Sequence, residues 1–195
     1  MTQNQKTGLI VAIVIILGVG LFFGLQYKRS HTPTPISDNG SVPDLNRPIP
    51  EESSIPTTIR ADIEARIRGD INSLKADANN LTAWIDLGLQ RKALHDYEGA
   101  RQAWEYASII RPKNSLSFGN LGDLYAYYIK DSVKAEQNFL TAIENDKNLI
   151  YLYFQASDFY RDVLKDLTKA RAILKEGAKN IPSEAENFNK ATTNF

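Results

Sequence analysis

The chain has 195 residues, no cysteine, and 23 basic against 23 acidic side chains, so its formal net charge is zero. The lack of cysteine excludes disulfides, thiolate metal sites, a cysteine nucleophile and the lipid-modified cysteine of a bacterial lipoprotein. The charge balance is also local: residues 60–195 carry 19 basic and 19 acidic side chains. That leaves no basic stripe for a phosphate backbone, and nucleic acid is not an expected partner.

A short tail, residues 1–7, precedes an apolar run. Gly8 to Leu25 holds 18 residues without a charge or a hydrogen-bonding side chain. As a helix it would be about 27 Å long, close to the ~30 Å hydrocarbon core of a bilayer. Gln26, Tyr27, Lys28 and Arg29 follow as a polar and aromatic edge suited to the interface. The run exceeds the apolar stretch of a cleaved signal peptide, and no small-residue cleavage site follows it. Residues 8–27 are therefore expected to be an uncleaved single-pass anchor in a lipid bilayer. The amino terminus and Lys6 on one flank balance Lys28 and Arg29 on the other, so the positive-inside rule does not orient it. Gly20 and Gly24 form a GxxxG pair, which marks either a helix dimer face or merely the glycine content usual in membrane helices.

Residues 28–57 contain six of the eight prolines: Pro33, Pro35, Pro43, Pro48, Pro50 and Pro56. Such a composition buries little apolar area and blocks regular hydrogen bonding, which predicts a disordered, Pro-rich tether. The 28 residues from Ser30 to Thr57 would span about 87 Å as polyproline II and roughly 30 Å as a flexible coil.

Helical periodicity then takes over. Ile63, Ile67, Ile71 and Leu74 form one apolar stripe on a helix of residues 59–76, an N-terminal capping element within 58–80. From Leu81 onward a pattern recurs. Trp84, Leu87, Gly88, Ala100, Trp104, Ala107 and Pro112 are followed by Phe118, Leu121, Gly122, Tyr125, Ala135, Phe139 and Ala142. A third set has Tyr153, Ala156, Ser157, Tyr160, Ala170, Leu174, Gly177 and Pro182. Small residues let paired helices approach closely, and large rings fill the spaces between neighbouring pairs. Asn80, Asp96, Asn114, Asp131 or Ser132, Asn148 and Asp166 are suited to open the helices as N-caps.

This spacing resembles the tetratricopeptide repeat, W-x2-L-G-x2-Y, then A-x3-F, then P, on a 34-residue period. Arg91 stands where the pattern has Tyr, Lys147 replaces the second proline, and the later units each carry one extra residue between their helices. The resemblance implies an all-α fold: an α-solenoid of three helix pairs at 81–114, 115–149 and 150–183. A C-terminal cap at 184–195 would begin with the capping-box sequence Ser183 to Glu186 and fold Phe188 back onto the last pair.

Little in the sequence suggests catalysis. His31 lies in the tether and His95 at a turn, so they make neither a metal cluster nor a catalytic pair. Gly119 to Gly122 falls inside a repeat helix, where glycine has a packing role. An enzyme is not expected, and neither a cofactor nor a metal is. In the family, the first helix of each pair lines a concave binding groove. By the resemblance that groove holds Ile85, Leu89, Lys92, Asp123, Tyr127, Tyr151, Phe154, Asp158 and Arg161. The Lys, Arg and Asn that chaperone-binding members use to grip a C-terminal carboxylate are missing: Ile85, Leu89, Asp123, Phe154 and Asp158 occupy those places.

The expected partner is thus an apolar protein helix or extended peptide with a basic residue facing Asp123 or Asp158. Tyr151 and Phe154 either line that groove or pack beneath the C-terminal cap. The expected function is a membrane-tethered interaction scaffold of a bacterial envelope assembly, secretion or pilus-type machine, with its repeats outside the cytoplasm. A cytosol-facing docking receptor and a structural homo-oligomer are the alternatives.

Overall fold

The computed structural model describes residues 41–51 and 54–193. The tail 1–7, the apolar run 8–27 and residues 28–40 of the tether lie outside the described residues. Among those described, every regular element is helical and no helix is long and apolar enough to cross a membrane.

Among the described residues eight α-helices follow one another. α1 (Thr57–Ala76) leads, with α2 (Leu81–Ala93), α3 (Tyr97–Ile110) and α4 (Ser115–Leu124) next. α5 (Ser132–Asn145), α6 (Ile150–Asp158), α7 (Leu167–Asn180) and α8 (Ala185–Thr193) complete the series. Consecutive helices pack on one another: α2 on α3, α4 on α5 and α6 on α7 as pairs, with α1 against α2 and α8 against α7 at the ends. These three stacked pairs between terminal helices are compatible with an α-solenoid.

Capping chemistry sets most helix starts. The side-chain oxygens of Asn80, Asp96, Asn114, Asp131 and Asp166 accept from the backbone N–H three residues on. Asn148 does not follow suit. Its own N–H donates to Asp146 Oδ1 at 3.0 Å, so the chain enters α6 one residue later, from Leu149, without a side-chain cap. The last helix also opens differently from a capping box: Ile181, which has no side-chain cap, leads into a 3-10 turn at Pro182–Glu184.

The core is the recurring small and large residues. Ala100, Ala107, Ala135, Ala142 and Ala170 are fully buried, as are Trp84, Trp104 and Tyr153. The Trp104 indole N–H crosses its pair to donate to the Ile85 carbonyl at 3.0 Å. Trp84 and Tyr153 reach back six residues in the same way, to the carbonyls of Ala78 and Lys147 at 2.9 Å. Each large ring therefore fills space and satisfies its polar tip. Phe188 is fully buried, edge-on to Tyr153 with centroids 5.7 Å apart.

The extra residue of the second and third pairs does not lengthen the connection between helices. All three connections are alike: a residue with positive φ (His95, Lys130 or Lys165) and then the aspartate N-cap. The surplus is absorbed in the first helix of the pair, whose end widens into a π-helical turn at Tyr125–Ile129 and at Phe159–Val163. The closing bond from Asp96 N–H returns to Arg91 O at 2.8 Å, five residues back. Those from Asp131 and Asp166 return six, to Tyr125 O and Tyr160 O. A turn with one left-handed residue and one cap has no slack, whereas a helix tolerates a π-bulge.

The C-terminal part of the expected tether is not free. Leu45, Ile49 and Ile55 are half-buried against the core, and Arg60 donates to the Pro50 carbonyl at 2.7 Å.

Candidate functional site

The first helices of the pairs, α2, α4 and α6, come side by side. Lys92 of α2 pairs with Asp123 of α4. Gly119 of α4 lies so close to α6 that an added Cβ would be 2.9 Å from Leu152 Cδ2. This juxtaposition gathers the expected groove residues on neighbouring elements.

Their states differ. Leu89, Leu116 and Tyr151 are the large apolar side chains these helices leave open, at 44%, 46% and 40% exposure. Ile85 is buried at 9% and works more as core than as groove. Phe154 is half-buried and stacked on Phe188, centroids 5.2 Å apart and planes 11° from parallel. Of the two placements open for Tyr151 and Phe154, Phe154 takes the one beneath the C-terminal cap, while Tyr151 remains on the surface.

The carboxylates are engaged within the chain. Lys92 lies between the Asp123 carboxylate and the Tyr128 ring, whose centroid is 4.5 Å from Nζ. Asp158 pairs with Arg161 at 2.8 Å, and Arg161 also forks onto Asp162. A partner's basic residue would therefore have to displace Lys92 or Arg161. Tyr127 stands among these acids. Burial first, and then Asp158, Asp162 and Asp123, push its hydroxyl up to about 12. It stays a neutral hydrogen-bonding group across the physiological range.

Two clusters outside this face were not anticipated. Tyr128 packs on Tyr97 with centroids 4.7 Å apart, joining the ends of two neighbouring pairs. Arg47, from the expected tether, lies on Asp96 with contacts of 2.8 to 3.2 Å. The signal for this second contact was Arg91, the departure from the repeat pattern. It is 2% exposed, pairs with Asp96 at 2.5 Å and donates to the Arg47 carbonyl at 3.1 Å.

Among the described residues no group of three or more His, Asp or Glu side chains is placed to hold a metal ion. Against known proteins, no family model matches this chain and no curated protein does.

Proposed function

We propose that the chain is a membrane-tethered scaffold of the tetratricopeptide type, which holds a partner's apolar helix or extended segment across α2, α4 and α6. The observation that carries this is the set of open side chains on those helices: Leu89, Leu116 and Tyr151, each between 40% and 46% exposed. Three large apolar groups on adjacent helices suit a segment that inserts apolar anchors at regular intervals. Because Asp123 and Asp158 already have cations in the chain, affinity comes chiefly from the apolar contacts, and the charged pairs set register. The apolar run at 8–27 supports attachment to a bilayer, and this layout suits an envelope, secretion or pilus-type assembly.

Site-specific photo-crosslinking in intact membranes tests the groove. A crosslinker at Leu89 or Tyr151 is expected to yield a discrete protein adduct that Leu116→Glu removes. The same group at Glu144, on a second helix, should give none. Equal adducts from all three positions, or none from Leu89 and Tyr151, would exclude a partner on this face. A compartment-dependent reporter fused after Phe195 assigns the side of the membrane.

A further inference from the structure

One side chain that sets the first helix pair apart from the other two has a ligand. In the second and third pairs that position is tyrosine, and each hydroxyl donates to a carboxylate of the preceding pair. Tyr125 reaches Glu105 at 2.6 Å and Tyr160 reaches Glu136 at 3.0 Å. The first pair has no predecessor. Arg91 stands there instead, buried with Asp96 of its own pair, and Arg47, within residues 44–50, lies on the same carboxylate.

The fit is specific. The Arg47 guanidinium forks onto the Asp96 carboxylate through Nε and Nη2. The same carboxylate also accepts from Arg91 and from the Gly99 N–H, so all its acceptor directions are used. Burial alone would raise the Asp96 carboxyl, but Arg47, Gly99 and Arg91 outweigh it and hold the group below the usual range. The segment is preorganised as well. Asp44 accepts from the N–H groups of Asn46 and Arg47, and Pro48 and Pro50 stiffen the backbone just beyond that turn. Its docking is shallow. Arg47 keeps 31% of its side chain exposed, and an open crevice of about 300 Å3 remains between Val42 and Pro43 on one side and Tyr106 and Ile109 on the other.

We infer that the Arg91–Asp96 turn is a recognition site for an extended arginine–proline segment, filled in cis by residues 44–50 and open in trans to the same segment of a second copy. A strap held by one charged fork, two donors to its backbone carbonyls and two half-buried side chains has few contacts beside the core it covers, and opens more readily than that core. Its return is favoured only by the effective concentration its attachment provides. In a membrane crowded with copies, exchange of straps links neighbouring chains without altering the repeat fold. The site itself rests on the strap contacts and is independent of the apolar face proposed for partners, while exchange between neighbours rests on the bilayer attachment proposed above.

The test uses the full chain in detergent micelles and a fluorescent synthetic peptide of residues 41–51. By anisotropy, the peptide is expected to bind an Arg47→Ala chain at least about tenfold more tightly than the unaltered chain, whose site is already filled. The peptide with its own arginine changed to alanine should lose that binding. So should a chain that also carries Asp96→Asn, which retains an oxygen for the Gly99 N–H and hence the cap. An Arg47→Lys chain, with the charge but not the fork, should fall between. Equal binding of both peptides overturns the proposal. So does an Arg47→Ala chain whose amide exchange at Asn46, a hydrogen-bonded N–H of the strap, is unchanged, because Arg47 would then not be what holds the strap.

Discussion

Gly122 lies beneath the ring of Phe139, where a Cβ would come 2.7 Å from Cδ1. Phe139 is 1% exposed and meets Phe159 at 5.6 Å, so the ring has nowhere to retreat. Gly122→Ala should therefore cost about 1–3 kcal/mol by overpacking. Chemical denaturation would show it as a lower midpoint at unchanged slope, whereas a neutral result would mean that α4 and α5 separate freely. The same close approach of a ring accounts for the glycines legible in the sequence at 88 and 177, which lie under Trp104 and Phe188. Arg91 is the opposite case. In the sequence it is only a mismatch to a pattern, because its partner Arg47 is 44 residues away in a proline-rich stretch and no local rule connects them.

At the scale of elements, the π-turns were not legible. Counting residues shows an insertion in the second and third pairs but not where it goes, since helix and connection compete to absorb it. The outcome leaves non-glycine residues at positive φ, among them Lys130 at 66°. Lys130→Gly is expected to stabilise the chain by about 1 kcal/mol, read as a rise in thermal midpoint.

A second element-scale feature is the contact of α1 with α2. Burial, and then the charge of Asp86, push the Asp70 carboxyl up to about 6, and its Oδ2 is buried without a hydrogen bond among the described residues. The folded protein thus binds this proton more tightly than the unfolded chain. The contact is unpenalised below pH ~4, loses stability as pH rises toward ~6, and carries the full penalty above it. Asp70→Asn should accordingly stabilise the fold at pH 7.5 by about 1 kcal/mol, allowing for solvent screening of a partly exposed group. In unfolding curves taken from pH 3.5 to 8, the gain should vanish at the acid end. A gain independent of pH would assign the effect to packing instead.

For the molecule as a whole, the ends carry the burden. Each pair buries one face on the next, so the terminal pairs need covers. The N-terminal cover is α1 with the strap of residues 44–50, and the C-terminal cover is α8, whose Phe188 closes over Tyr153 and Gly177. Removing residues 185–195 uncovers that face and forfeits about 1.5–3 kcal/mol for Phe188 alone. The expected signs are a lower, broader thermal transition and self-association in sedimentation. A sharp transition at the original midpoint would mean that the cap is dispensable.

By itself the sequence determined the helices, their pairing and most of their caps. Those depend on periodicity, small-to-large spacing and side-chain oxygens within a few residues of the groups they serve. Tertiary structure alone decided which expected groove residues remain available. Exposure and charge pairing depend on what other helices bring: Phe188 to Phe154, Lys92 to Asp123 and Arg161 to Asp158. It also decided that part of the proline-rich stretch, through Arg47, packs on a buried aspartate and arginine of the first helix pair. Composition measures how little such a segment can bury alone, not what a buried aspartate and arginine elsewhere in the chain offer it.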